Sequence, residues 1–197
     1  MSNTAKNNQN VVNPTKIITG ICRLSYANIW QAKSINGGTP KFSTSVLIPK
    51  SDAVTISRVK KAIQAAYEEG ESKLKGNGKS VPPLATLKTP MRDGDVERPD
   101  DPAYEGHWFV NANSGTAPGV VDINRQPIID TSEIYSGVYA RVSLSFYAFN
   151  SNGNKGIACG LQNIQKVRDG ESLGGRTKAE DDFNDEFASA DEENFLA

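Results

Sequence analysis

The sequence predicts a mainly β fold: a small barrel of five or six strands, one inserted α-helix, and an acidic C-terminal tail. Three observations carry this. Short β-branched and aromatic runs recur between turn signals. A single capped segment has helical periodicity. The acids are concentrated at one end of the 197-residue chain, which is long enough for one domain with a real core.

In chain order, residues 1–15 are Asn-rich and read as a flexible polar arm. Lys16 to Trp30 (KIITGICRLSYANIW) reads as one long strand whose apolar pattern is interrupted by Arg23. Gly37-Gly38 mark a turn. The strand from Lys41 to Ile48 puts Phe42, Thr44, Val46 and Ile48 on one face. Ser51 and Asp52 are N-caps for a helix over about 52–69. Its stripe is Ile56, Val59, Ile63, Ala66 and Tyr67, with Gly70 as the stop. Residues 70–80 read as a Gly/Lys-rich link, and 90–105, with three prolines and six acids, as a long loop. Strands follow at His107–Ala112, Gly119–Ile123 and Gly137–Phe149. Asn152-Gly153-Asn154 then turns into a last strand, Lys155 to about Val167. The barrel domain thus spans 16–170, and 171–197 is expected to be a disordered tail.

The formal net charge of −1 conceals a division. Residues 179–197 hold eight of the 23 acids and no Lys or Arg; the other 15 acids face 22 bases, so residues 1–178 carry +7. A basic body suits an acidic polymer. The tail acids Glu180, Asp181, Asp182, Asp185, Glu186, Asp191, Glu192 and Glu193 read either as a solubility device or as an imitation of nucleic acid that competes for the body and recruits partners. Phe183, Phe187 and Phe195 favour the second, because a merely solvating tail has no use for phenylalanine.

The strand Val138–Phe149 is the most informative. Its even positions, Val138 to Ala148, are all apolar and form the core face. Its odd positions are Tyr139, Arg141, Ser143, Ser145, Tyr147 and Phe149. Aromatics beside cations on an exposed face suit base stacking and phosphate neutralisation, unless the helix or the 90–105 loop covers them. Arg23, Tyr26, Trp30 and Lys41 repeat the theme, and Lys155 adds a cation; Trp30 alone reads equally well as a core residue.

Catalytic and metal motifs fail in detail. Gly78-Lys79-Ser80 ends like a P-loop, but Lys73 stands at the first glycine position and Val81-Pro82-Pro83 forbids the required helix. Asp93, Asp95 and Glu97 have calcium-loop spacing, with Arg98 at the obligatory glycine and Tyr104 at the twelfth position. Pro99-Asp100 lacks the second half of a metal-nuclease motif. His107 is the one histidine, and Cys22 and Cys159 lie in predicted strands, too few for zinc or a disulfide framework. The expectation is a binding protein with no cofactor or metal. No apolar run reaches the ~18 residues of a membrane helix, and the opening residues carry no secretory h-region.

The ordered segments RLSYANIWQ, TSVLIPKSD, MRDGD, YEGHWFVNANS, VVD, SGVYARVSLSFYAFN and NKGIACGLQNIQKVRDGESLGG cover about Lys16 to Gly175. This set resembles the phage proteins long catalogued as a domain of unknown function and since recognised as single-stranded-DNA-binding proteins. The resemblance implies an OB-fold-like barrel with an inserted helix and sequence-nonspecific binding of single-stranded DNA in replication, recombination or repair; stacking and phosphate neutralisation discriminate only modestly, so weaker binding of duplex DNA or RNA stays open. It implies work in the cytoplasm of the infected host, with phage replication proteins reading the acidic tail; the residues themselves leave a homodimer open. The tail departs from several of its counterparts in that Leu196 and Ala197 follow Phe195. The DNA contacts expected from strand parity are Arg23, Tyr26, Trp30, Lys41, Tyr139, Arg141, Tyr147, Phe149 and Lys155. Other roles weighed are strand annealing or recombinase loading, a nuclease, and a structural virion protein.

Overall fold

The structure, a computed structural model, describes residues 13–34 and 37–174. Most of the expected N-terminal arm and the acidic tail lie outside the described residues.

The strands are β1 (Lys16–Ile18), β2 (Cys22–Lys33), β3 (Lys41–Pro49), β4 (Met91–Asp93), β5 (His107–Ser114), β6 (Gly119–Val121), β7 (Tyr139–Ser151) and β8 (Asn154–Arg168). The helices are α1 (Ala53–Glu69), α2 (Glu71–Lys75) and α3 (Gly94–Glu97). All eight strands join one sheet, and pairing of β7 with both β2 and β8 closes a ring β2–β3–β5–β8–β7. The ring is antiparallel except between β5 and β8. Closure removes the exposed edges that an open sheet would present. The three short strands are additions: β1 pairs β7, β4 pairs β5 and β6 pairs β8.

The long first strand is broken at Gly20. There the chain passes so close to the start of α1 that a Cβ would lie 2.5 Å from Asp52 Oδ2. The Gly20 N–H donates to Thr55 Oγ1 at 2.8 Å. β1 and β2 therefore flank β7 at different levels, opposite Ser143–Ser145 and Tyr139–Ala140 respectively.

The even positions of β7 face inward as alternation demands: Ala140, Val142, Leu144, Phe146 and Ala148 are all buried. They join Leu24, Val46, Ile48, Val110, Leu161 and Ile164 in the barrel interior. α1 starts where expected, with Asp52 Oδ1 accepting from the Thr55 N–H at 3.0 Å. It buries Val59, Ala62, Ile63 and Ala66 against the same interior, the larger side chains contributing roughly 1.5–3 kcal/mol each. Gly70 ends α1 by close approach rather than by a left-handed turn. Its φ is −96°, and a Cβ would stand 2.1 Å from Ala148 Cβ.

Two expected loops contain structure. The 70–80 link holds α2, anchored by fully buried Leu74. The 90–105 segment holds β4 and α3, and its Tyr104 packs edge-on against Phe109 at 5.1 Å, over Leu47. This second small core sits on the outside of β3 and β5, so the excursion covers one sector of the barrel wall. The Asn152-Gly153 turn has φ of +49° and +79°, the left-handed pair that a tight hairpin requires.

Candidate nucleic-acid interface

Outward positions of β2, β3 and β5 line up by register. Ser25, Ser45 and Asn111 form one cross-strand row; Asn28, Ser43 and Asn113 form the next. The second row continues to Gly160 on β8 and Ser145 on β7. Asn28, Ser43, Ser45, Asn111 and Asn113, with Tyr26, Lys33 and Arg98, line a groove of about 620 Å³. Arg98 comes from the 94–106 excursion, where its guanidinium lies 5.6 Å from the Tyr104 ring centroid. The groove wall holds two lysines or arginines in Lys33 and Arg98 and no carboxylate. Exposed Lys41 lies beside it, with Nζ 3.5 Å from Asn113 Oδ1. An amide-and-hydroxyl floor offers both donors and acceptors to base edges. Ser45 Oγ is buried there without a hydrogen-bond partner among the described residues.

Tyr26 is the feature the local rules do not explain. It sits where the β2–β3 register shifts between Ser25 and Asn28. Its φ is +48°, a region bulky residues avoid. It is 58% exposed. It lines both the groove and a second cavity of about 650 Å³, whose wall includes Arg23, Asp101, Ser136 and Glu171. A strained backbone that presents a large ring to solvent contributes little to folding and points to recognition.

The other predicted residues are placed as follows. Arg23 donates from Nη2 to Glu171 O at 2.7 Å and from Nε to Gly137 O at 3.2 Å. Tyr139 is half-buried, with the Arg168 guanidinium 3.6 Å and the Arg23 guanidinium 5.6 Å from its ring centroid. Gly170 crosses so close that a Cβ there would meet Tyr139 Cε2 at 2.7 Å. The faces of Tyr139 are therefore occupied by the protein itself. Trp30 packs against the core and donates its indole N–H to Ile134 O at 3.3 Å, which sets it apart from the groove. Arg141 is exposed, with Nε donating to Thr19 O at 3.3 Å. Tyr147 is 45% exposed and leans over Gly160, whose Cβ, if present, would lie 3.6 Å from Tyr147 Cε1. Phe149 is half-buried beside Gly156, and Lys155 Nζ donates to Lys75 O at 3.2 Å. Tail residues Asp181, Asp182, Asp185, Glu186, Asp191, Glu192, Glu193 and Phe195 lie outside the described residues.

Parity on β7 thus captured one exterior sector and missed the groove floor. Alternation in KFSTS and VNANS marks Ser43, Ser45, Asn111 and Asn113 as outward and polar, which was the available signal. Nothing local marks Arg98.

The acids with calcium-loop spacing are ion-paired. Lys50 Nζ lies 2.7 Å from both Asp93 Oδ1 and Asp95 Oδ2, and Arg92 pairs with Glu97. These cations hold the Asp95 and Glu97 carboxyls below their ordinary pKa values. Burial pushes the Cys22 thiol up to about 12 and the Cys159 thiol higher still.

A sequence model of the family described as Enterobacter phage Enc34, ssDNA-binding protein, matches residues 15–196. A "putative protein p50" of Acyrthosiphon pisum secondary endosymbiont phage 1 is 29% identical over 190 residues, covering 92% of this chain and 99% of that protein. Among solved structures, the single-stranded-DNA-binding protein of bacteriophage Enc34 in complex with ssDNA is 28% identical with a TM-score of 0.66, covering 82% of this chain and 91% of that one. The single-stranded-DNA-binding protein gp2.5 of bacteriophage T7 shares the fold, with a TM-score of 0.58 at 14% identity over 83% of this chain and 97% of that one.

Proposed function

The chain belongs to the family of the Enterobacter phage Enc34 ssDNA-binding protein, and we propose on that premise that it coats single-stranded DNA during phage DNA replication. The family is one of binding proteins rather than enzymes. The observation that carries the reading is exposed, left-handed Tyr26 standing at the edge of a groove that holds cations and no carboxylate. Bases stack on Tyr26, at about 1–3 kcal/mol per base regardless of sequence. Asn28, Ser43, Asn111 and Asn113 meet base edges and sugars, while Lys33, Lys41 and Arg98 neutralise phosphates. Tyr147 offers a second, flatter platform across β8.

The domain reading places this activity in residues 16–170. The tail at 179–197, with its eight acids and Phe195, competes for the groove and is freed to recruit replication proteins once DNA binds. The site of action is the cytoplasm of the infected host.

Fluorescence anisotropy with a labelled mixed-sequence strand of about 30 nucleotides tests this, since one OB fold occupies roughly 4–16 nucleotides. Binding should prefer the single strand to the matching duplex. It should weaken with salt by about 0.7 in log–log slope for each neutralised phosphate. Removing residues 179–197 should raise affinity at low salt. Absence of binding at low salt, with and without the tail, refutes the reading; unchanged affinity without the tail refutes only the competition.

A further inference from the structure

The exterior beyond the groove has a second basic centre. On β8 the outward positions Gly156, Ala158 and Gly160 leave a low floor, crossed by Tyr147 at one end. At the other end, a Cβ on Gly156 would lie 3.0 Å from both Phe149 Cε1 and Lys88 Cβ. Lys88 is held there as a β-bridge partner of Gly156, its carbonyl accepting from the Ile157 N–H at 2.8 Å. The β7–β8 hairpin in turn grips α2. Asn150 Nδ2 donates to Lys73 O at 3.0 Å and Lys155 Nζ to Lys75 O at 3.2 Å. Three chain segments thus fix exposed Lys73, Lys75 and Lys88 around one strand end, with Lys79 four residues beyond Lys75.

Glu68, Glu69 and Glu71 precede these lysines, but none of the three is ion-paired with them among the described residues. No Asp or Glu occurs from Ser72 to Arg92 or from Ile134 to Arg168. Glu71 is the one acid on α2, yet among the described residues none of Lys73, Lys75, Lys79, Lys88 and Lys155 is in an ion pair, whereas Lys50 and Lys166 each meet two carboxylates. Exposed cations outside ion pairs on an anchored backbone, beside an aromatic and next along the sheet from a cation-bearing groove, favour a phosphodiester chain.

We propose that Lys73, Lys75, Lys79 and Lys88 form an exit subsite that holds the phosphates of the same single strand after it leaves the groove over Gly160 and passes Tyr147 and Phe149. This rests on the groove reading above. The subsite lengthens the footprint and adds salt-dependent affinity without adding sequence preference, because it meets only the backbone.

The test compares full-length protein with the Lys73→Gln/Lys75→Gln/Lys79→Gln/Lys88→Gln variant on strands of about 8 and about 20 nucleotides, which fall inside and beyond the range of one OB fold. On the longer strand the variant should lose about 0.7 of log–log salt slope per phosphate released, about 2–3 in all, and bind more weakly at low salt. On the shorter strand the two proteins should bind alike. The corresponding four Lys→Arg substitutions should restore the slope, and equal melting temperatures exclude misfolding. An unchanged slope on the longer strand overturns the subsite while binding of the shorter strand upholds the groove. Failure of wild-type protein on both strands overturns the groove reading itself. Tighter binding by the variant would show that the lysines hold an acidic protein segment instead, and overturns the proposal.

Discussion

Replacing Tyr26 with glycine separates a recognition role from a folding role. At φ +48° an L side chain is strained by roughly 1–2 kcal/mol, which glycine does not incur. Two terms oppose the relief. Glycine loses roughly 0.5–1 kcal/mol more backbone entropy on folding. With 58% of the residue exposed, the burial lost is under half of the roughly 1.5–3 kcal/mol that a fully buried large side chain contributes. Tyr26→Gly should therefore leave stability within about 1 kcal/mol, a melting shift of roughly 2–4 °C or less at this chain length. Binding should respond quite differently. Loss of one stacking platform costs about 1–3 kcal/mol, or roughly a 5- to 150-fold rise in Kd. Tyr26→Phe, which keeps the ring, should stay within about twofold of wild type. Anisotropy titration at one fixed salt concentration, paired with thermal melting, reads both quantities. Wild-type affinity for Tyr26→Gly would refute the stacking argument. A loss of several kcal/mol in stability would show that the strained tyrosine is structural.

Tyr139→Leu should lower the melting temperature, because it removes the ring on which Arg168 and Arg23 lie, and should leave the ssDNA Kd of folded protein within about twofold; a binding loss as large as that of Tyr26→Gly would return Tyr139 to the interface. Stability should fall as pH drops below about 4, since the native pKa values of Asp95 and Glu97 lie below their unfolded ones. Their contribution is complete above the unfolded values and disappears as pH falls through the folded ones. Lys50→Met should make that acid limb shallower in chemical denaturation measured across pH 2–6, leaving the parts that Glu97, Asp130 and the Gly106 N–H on Asp95 contribute. Cys22 and Cys159 should resist iodoacetamide at pH 8 in native protein and react in denaturant, because the nucleophile is the thiolate and burial raises both thiol pKa values; labelling of native protein within minutes, detected by mass spectrometry, would contradict their placement in the core.

Sequence by itself determined the class of fold and the elements whose cause is local. Strict alternation over Val138–Phe149 assigned the buried face of β7 residue by residue, because a pleated strand admits no other parity. The Asp52 cap and the stripe through Val59 and Ile63 located α1, and Asn152-Gly153 located the hairpin, for equally short-range reasons. The charge division and the ordered family segments were legible too, since neither needs coordinates. Tertiary structure alone decided which outward sector is the groove. Parity says that Tyr139, Tyr147, Ser43 and Asn113 all point away from the core, but the outside of a closed barrel runs all the way round. The outcome depended on what else packs there: Arg168 covers Tyr139, Tyr104 covers Phe109 and Leu47, and Arg98 is carried to the groove by a segment that looked like loop. Each is a contact made across a fold, as is the register shift that turns Tyr26 outward, and no pattern of neighbours along the chain encodes it.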